Sequence, residues 1–419
     1  MHQQSLRARL LGVAALWVGL SSASLAVAEP APPFATLLQE ALAGSPRLIE
    51  SQAAVDRATG LALQARARPN PTASLYAENF VGSRSYAELG GQTTLQVDQP
   101  LELFGKREAR IAAGAASLEA ARAQAAQSRL AFAVELASRY AQAEVAQRRI
   151  ELAQEGVELA REDLRVTRLL VETGKEAELR RLQAQTEVGA AEARLQSARA
   201  VSVQAFLALT SYAGTGAALT SVPSGLLSLA DASAPPPATT ASVEVSPAYQ
   251  AALADREAAA RQVRVERLQN RPNPTISVGV RQIMKEDFAA VAGVSLPIPV
   301  FDQNRGAVAA AQAGLRAAEA RLRTVRLDLE AEAKSAQARV EAASSQLVAA
   351  RGAESAAEEG YRLTRLGWSG GKLPFAEVIT ARRALVEARS QTLEARLARL
   401  TAGALLAQSA GRIPFGDRP

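Results

Sequence analysis

The chain contains one internal repeat, and this repeat constrains the fold more than any other feature. Residues 68–72, Arg-Pro-Asn-Pro-Thr, recur unchanged as residues 271–275. Farther along, residues 165–175 share Arg, Thr, Arg, Leu, Gly and Lys with residues 362–372 at identical spacing. Two copies are too few for a solenoid, which needs roughly three or more stacked units. The sequence therefore predicts two halves built on one plan.

Each half is expected to contain a helix, two strands, a very long helix, a turn and a returning helix. The Arg-Pro-Asn-Pro-Thr element ends the first helix, because proline cannot continue it. Polar and apolar residues then alternate with the period of two that is typical of strands. The expected bounds are 34–67, 72–81, 105–171 and 176–211 in the first half, and 247–270, 288–296, 304–366 and 375–409 in the second, and the remaining strand of each half includes the alternating residues 91–98 and 276–281.

The first 28 residues are expected to be a secretion signal. Arg7 and Arg9 precede the apolar run 10–20, and Ala-Val-Ala at 26–28 is a cleavage pattern. No later stretch is apolar and long enough for a membrane-spanning helix. The expected organisation is a signal peptide at 1–28, a first repeat at 29–220, a Pro-rich linker at 221–247 and a second repeat at 248–419.

The long helices carry two apolar stripes instead of one. Two positions on a helix correspond to about 200°, so stripes displaced by two positions lie on nearly opposite faces. The paired stripes are Val145, Leu152, Leu159 and Val166 against Leu136, Ala143, Ile150, Val157 and Leu164; Ile379, Val386, Leu393 and Leu400 against Ala381, Ala388, Ala395 and Ala402; and Leu315, Leu322 and Leu329 against Ala313, Ala320 and Leu327. A neighbour on each side, with Arg, Glu and Gln on the faces between, indicates a hollow tube of helices.

The strand pairs predict an oligomer. Each strand has about the nine or ten residues that a tilted membrane strand needs. Four strands cannot close a barrel, and open strand edges are not tolerated in lipid. If the strands lie in a membrane, several copies must therefore pool them. The alternative is a soluble hairpin packed on a helix.

The sequence resembles the outer membrane factors, of which TolC is the best known. Residues 99–107, Gln-Pro-Leu-Glu-Leu-Phe-Gly-Lys-Arg, are similar to a signature of the CzcC-like branch, which serves heavy-metal efflux pumps of the RND class. The resemblance implies a mainly α protein with a β-barrel portion. It would be a homotrimer, with four strands per protomer in a shared transmembrane barrel and long coiled-coil helices forming a periplasmic tunnel. A periplasmic adaptor would link it to an inner-membrane RND pump.

The composition argues against catalysis and against tight metal binding. The only His is His2, Met occurs twice and Cys is absent, so imidazole and thiolate ligands are nearly missing. No catalytic constellation and no cofactor site is expected. Removing Arg7 and Arg9 with the signal lowers the net charge from +6 to +4. That charge is small and interspersed, which argues against a nucleic-acid partner.

The two helix tips are the predicted functional site. In the resembled family, the Arg-Leu and Gly positions at these tips contact the adaptor, and the two Lys residues are added on spacing. The adaptor-docking candidates are Arg168, Leu169, Gly174, Lys175, Arg365, Leu366, Gly371 and Lys372. Glu176, Glu178 and Glu377 are candidate tunnel-mouth carboxylates that would filter cations weakly. The alternative, which is favoured, is that these acids stabilise helix N-termini.

Three functions stay open from the sequence. The first is a passive outer-membrane exit duct for divalent cations such as cobalt, zinc or cadmium, located in the outer membrane of a Gram-negative bacterium and extending into the periplasm. The second is the same duct used for multidrug efflux or type I secretion. The third is a periplasmic coiled-coil scaffold without a pore, which the strand pairs disfavour.

Overall fold

The computed structural model describes residues 29–78, 91–223, 225–232, 243–283 and 287–415. The helices are α1 Phe34–Gly44, α2 Pro46–Gln64, α3 Lys106–Glu172, α4 Glu178–Ala213, α5 Leu226–Ala232, α6 Pro247–Gln269, α7 Arg305–Ser369 and α8 Phe375–Ser409. The strands are β1 Glu29–Pro30, β2 Thr72–Glu78, β3 Gln92–Pro100, β4 Leu219–Ser221, β5 Thr275–Ile283 and β6 Asp287–Ser295. The expected signal at 1–28 lies outside the described residues.

The two long helices are confirmed. α3 has 67 residues and α7 has 65, which makes each about 100 Å long. Within the described ranges, no helix combines the length and the apolar character needed to cross a bilayer.

The predicted single helix at 34–67 is wrong, because the structure divides it into α1 and α2. The break lies at Ser45, which is extended (φ −65°, ψ 128°) in front of Pro46. Proline disfavours helical backbone in the preceding residue, so the helix ends there and restarts with Pro46 as its first residue. The same Ser-Pro pair begins α6 at Pro247.

The returning helix of each half ends against the start of the short helix of the same half. Gly214 follows α4 with φ +75°, and a Cβ built there would lie 3.0 Å from Cδ of Pro46. Gly411 follows α8 with φ +70°, and its Cβ would lie 3.1 Å from Cδ of Pro247. Glycine is needed at both positions because the backbone is left-handed and the neighbouring proline is close. The short and returning helices of each half thus stack end to end.

The helices lie side by side in the order α2 with α4, then α3, then α6 with α8, then α7. The four longer strands form one antiparallel sheet in the order β2-β3-β5-β6. The layer of helices and the sheet therefore have their free edges on the same two sides of the protomer. One edge carries β2 with α2 and α4, and the other carries β6 with α7.

The apolar stripes differ in how completely one protomer buries them. On α3, Leu136 and Ala143 are fully buried, whereas Leu159 and Val166 of the opposed stripe are half-exposed. On α7, which forms an edge, Leu329 is buried but Leu327 of the opposed stripe is 65% exposed. Exposed apolar side chains that lie together in this way mark interaction surfaces.

The main apolar cluster lies midway along α3, where Leu136 and Tyr140 pack against α1 and the α5 region. Glu144 is buried there and accepts hydrogen bonds from the backbone N–H groups of Gly225 and Leu227, both at 3.1 Å. Burial raises the pKa of Glu144, and these N–H groups oppose the rise. The described part of the expected linker at 221–247 therefore includes a helix anchored to α3.

The two faces of the sheet differ in polarity, and the apolar face is the more exposed one. Leu95 and Val97 of β3, and Val278 and Val280 of β5, point to this face and are exposed. The opposite face carries Ser74, Thr94, Gln96, Asp98 and Ser277, which are half-buried or buried. The sheet thus curves toward its polar side. In a soluble protein the apolar face would be the covered one, so this face is suited to lipid.

The segment 99–107 joins the sheet to the helices. The Gln99 side-chain amide donates to the Pro69 carbonyl at 3.0 Å, and Arg107 donates to the Arg66 carbonyl at 2.8 Å. Arg110, paired with Glu102, donates to carbonyls of residues 65 and 67. These side chains satisfy the free carbonyls at the end of α2. Residues 99–107, which are similar to the CzcC-like signature, therefore connect the sheet to the helices.

Candidate functional site at the helix tips

Both helix tips end in the same backbone motif. In the first, Gly174 N–H donates to the Val171 carbonyl at 3.0 Å, and Lys175 N–H donates to the Leu170 carbonyl at 2.8 Å. In the second, Gly371 N–H donates to the Trp368 carbonyl at 2.9 Å, and the Lys372 N–H bond to residue 367 is 2.8 Å. This pair of bonds is the Schellman motif, which places a left-handed residue after the helix. Both glycines have φ +69°.

The adaptor-docking candidates are all exposed, but the structure divides them among three places. Gly174, Lys175, Gly371 and Lys372 form the two turns. Arg168 and Leu169 lie in a shallow depression formed entirely by α3 residues between 161 and 172. Arg365 and Leu366 line a separate groove between α3 and α7, which we call the tip groove. The tip groove is lined by Glu155, Glu158, Leu159, Glu162, Glu358, Tyr361, Arg362, Arg365, Leu366, Trp368, Ser369, Leu385 and Arg389.

The tip groove has an apolar floor and charged rims. Tyr361 and Leu385 belong to the buried cluster beneath it, and Trp368 packs on Phe375 with ring centroids 5.1 Å apart. The Arg365 guanidinium lies 5.8 Å from the centre of the Tyr361 ring. The corresponding positions of the first tip, Val171 and Glu178, lack this aromatic pair. The two tips therefore share a backbone but differ in side chains.

The three acids near the tips differ in their surroundings. Glu178 pairs with Arg181 one turn along α4, and this hydrogen-bonded contact lowers the pKa of Glu178. Glu178 and Glu377 are exposed in the first turns of α4 and α8, whereas Glu176 is half-buried in the turn itself. Acids in the first turn of a helix are stabilised by the helix dipole, so the structural alternative fits Glu178 and Glu377.

A buried ion cluster beside the tips was missed by the sequence analysis. Arg382 on α8 contacts Asp163 on α3, and its second nitrogen lies 3.4 Å from Glu187 on α4. Arg383 also contacts Glu187 and lowers the pKa of that carboxyl. Charged residues of the long helices were expected on solvent-exposed faces between the apolar stripes. That expectation is wrong for Arg382, Asp163 and Glu187, all of which are buried. The cluster ties three helices together and positions the tips.

We expect Arg382→Met to lower the local stability of the tips by about 3–5 kcal/mol, because it leaves Asp163 buried without its cation. Arg383→Met is the matched control. The Arg383 side chain is 57% exposed, so its loss should cost about 1 kcal/mol or less. Hydrogen–deuterium exchange of α8 near these residues measures both values, and equal losses would contradict the prediction.

The two acids of the cluster contribute to the pH dependence of tip stability with opposite signs, because burial raises the pKa of Asp163 against the opposing effect of Arg382. The folded-state pKa of Glu187 lies below its unfolded value. The contribution of Glu187 to the stability of the folded tips is therefore present above the ordinary glutamate pKa of about 4.3. This contribution is lost as the pH falls through the lowered pKa.

Within the described ranges, no group of three or more His, Cys, Asp or Glu side chains is placed to hold a metal ion.

A two-repeat helical protomer with one antiparallel sheet is the architecture of outer-membrane channels. The chain superposes on the outer membrane protein VceC from Vibrio cholerae with a TM-score of 0.74 and 20% identity, covering 90% of this chain and 96% of that one. The family model described as "Outer membrane efflux protein" matches residues 37–215 and 241–412. The chain belongs to this family of passive transport ducts. It is therefore an outer-membrane protein of a Gram-negative bacterium that extends into the periplasm, and not an enzyme.

Two curated relatives are similar over most of their length. The nickel-cobalt-cadmium resistance protein NccC from Alcaligenes xylosoxydans xylosoxydans is 44% identical over 97% of this chain and 92% of its own. The cobalt-zinc-cadmium resistance protein CzcC from Cupriavidus metallidurans is 28% identical over 81% of this chain and 80% of its own. The resemblance to the CzcC-like branch is thereby confirmed.

Proposed function

We propose that this protein is the outer-membrane exit duct of a tripartite RND efflux system for divalent heavy-metal cations. The observation that supports a duct is that each protomer has two free edges, one on each side. β2 with α2 and α4 is open on one side, and β6 with α7 is open on the other. Joining the first edge of one copy to the second edge of the next is a head-to-tail contact, which forms a ring when the rotation closes.

A homotrimer supplies the strands that one copy lacks. Three copies pool twelve strands, which is within the range of membrane barrels, whereas four strands leave open edges that lipid does not tolerate. The exposed apolar face of the sheet would face the acyl chains, and the polar concave face would line the lumen. Below the membrane, the helices would continue the wall as a periplasmic tunnel. The uncovered stripe at Leu327 would be buried by the neighbouring copy.

The tips would dock a periplasmic adaptor that links the duct to an inner-membrane RND pump. The tip groove supports this role, because an apolar floor with charged rims resembles the centre and rim of a protein interface. Arg365 and Leu366 would contact the adaptor there, and Arg168 and Leu169 would contact it in their own depression. Gly174, Lys175, Gly371 and Lys372 would shape the two turns. Glu176, Glu178 and Glu377 remain candidate tunnel-mouth carboxylates. The expected export signal at 1–28 and the repeat boundaries at 29–220 and 248–419 are part of the same proposal.

The cargo is proposed from the relatives, whose names specify resistance to nickel, cobalt, cadmium and zinc. A chain whose only His is His2 and which has no Cys offers few ligands that would retain such ions. A duct needs this property, since a tightly bound ion blocks conduction.

Deletion of the gene tests the function. We expect the minimum inhibitory concentrations of nickel, cobalt, cadmium or zinc to fall severalfold and to recover when the wild-type chain is expressed again. Tolerance of organic drugs should not change. Unchanged metal tolerance together with increased drug sensitivity would instead favour a multidrug duct.

A further inference from the structure

The polar face of the sheet carries fixed charges of opposite sign in separate layers. The strand register places Asp98 of β3 opposite Thr72 of β2 and Ser277 of β5. Four residues farther from the helices, the register places Arg281 of β5 opposite Thr94 of β3. At about 3.4 Å per residue, the two layers are roughly 14 Å apart. Even and odd positions alternate between faces, so both charges point to the concave side.

Asp98 is held in place by neutral hydrogen-bond donors. Ser277 donates to one carboxylate oxygen, and Ser74 donates to the other at 3.2 Å. The Gln96 amide donates to both oxygens, at 3.0 and 3.2 Å. Four hydrogen bonds from three strands fix the carboxylate without neutralising it, and the side chain is only half-buried.

Arg281 is hydrogen-bonded to a neutral partner. Its Nε donates to the Thr94 hydroxyl at 3.1 Å. Among the residues that the structure describes, neither Arg281 nor Asp98 forms an ion pair. Each is the one charge in its own layer of described residues on the face that becomes the lumen if the duct closes, whereas the layer two residues farther out carries the carboxylates Glu78 and Asp287.

We propose that Asp98 is a selectivity-determining residue of the duct, and that Arg281 opposes it. The inference rests on the proposed trimer, which converts each residue into a ring of three. The Asp98 ring would lie inside the barrel on its tunnel side, because Asp98 is two residues before the end of β3, which leads through residues 101–105 into α3. It raises the local concentration of cations and lowers that of anions. The Arg281 ring, farther out, does the reverse.

The size of the effect follows from Coulomb's law. Three carboxylates about 10 Å from the axis of a twelve-stranded pore, in water at 0.1 M salt, enrich monovalent cations and deplete anions by about twofold each. The ring thus changes the cation-to-anion permeability ratio by about fourfold. At 0.01 M salt the screening length is about three times longer, and the change grows to about twentyfold.

Reversal potentials of the purified full-length protein in planar lipid bilayers, under a potassium chloride gradient, test this inference. We expect Asp98→Asn to lower the cation-to-anion permeability ratio by about fourfold at 0.1 M salt and by more at 0.01 M. Asp98→Glu keeps the charge and is the matched control, so it should conduct like the wild type. Arg281→Gln should raise the ratio, which provides an independent test in the opposite direction.

Two results would overturn the inference. Asp98→Asn channels that conduct with an unchanged ratio at low salt would remove Asp98 from this role, while the duct itself would stand. If Arg281→Gln lowered the ratio, the layered arrangement would be wrong. Absence of any conductance from the wild-type protein would be a different failure, since it would contradict the proposed function together with this inference.

Discussion

Replacing Leu366 with aspartate is expected to abolish metal export while the trimer still forms and reaches the outer membrane. Leu366 lies in the tip groove and is 57% exposed, so the change does not disturb the protomer core. An adaptor that covers this position would bury an uncompensated carboxylate. That burial costs about 3 kcal/mol per groove, which weakens docking more than a hundredfold. Metal tolerance of cells expressing the variant measures export, and the mass of the purified protein reports the oligomer.

Leu366→Met is the matched control, because it keeps a large apolar side chain in the groove, and it should export like the wild type. Gly174→Trp should also abolish export, but this variant both adds a bulky side chain and strains the turn. A non-glycine residue at φ +69° strains the turn, so Gly174→Asn, which tolerates left-handed backbone, separates strain from bulk. Normal metal tolerance with Leu366→Asp in a properly assembled trimer would exclude the tip groove as the docking surface.

Placing arginine at Val278 is expected to prevent assembly in the outer membrane. Val278 is 61% exposed on the apolar face of the sheet. A cation on the lipid side of a barrel costs about 2–4 kcal/mol near the bilayer midplane. Three copies bring the total to about 6–12 kcal/mol, which is comparable to the whole stability of a typical folded protein. The heat-resistant trimer should therefore disappear from outer-membrane fractions, and metal tolerance should be lost with it.

Val291→Arg is the control for this prediction, since it makes the same replacement on the other face. The register aligns Val291 with Gly279 and Gln96 on the polar side, where an arginine would reach water in the lumen. Its trimer should insert normally. Equal loss of both trimers would contradict the assignment of the two faces, because the replacement would then be harmful wherever it is placed.

Most of the elements were predictable because their signals are local. The period-two strands and the Schellman glycines each depend on residues close together in the chain, and the repeat is found by matching two such short patterns. The break between α1 and α2 also has a local signal, since Ser45-Pro46 repeats as Ser246-Pro247 and proline disfavours helical backbone in the residue before it. The ion cluster had no such signal. Asp163 and Arg382 are 219 residues apart, and at the repeat spacing of 197 Asp163 corresponds to Gly360.

Local sequence patterns are enough to predict that this protein has two similar halves with long helices, strand pairs and glycine turns at the tips. Those properties follow from backbone preference and hydrophobic period, which act within a few turns of chain. Which edges stay open, which face of the sheet is the more exposed and which charges are buried become apparent only in the folded chain. Those properties depend on how distant segments pack, and identical local patterns are compatible with several packings. At the two tips, the shared backbone motif is predictable from the sequence, whereas the packing of Trp368 on Phe375 at the second tip is visible only in the folded chain.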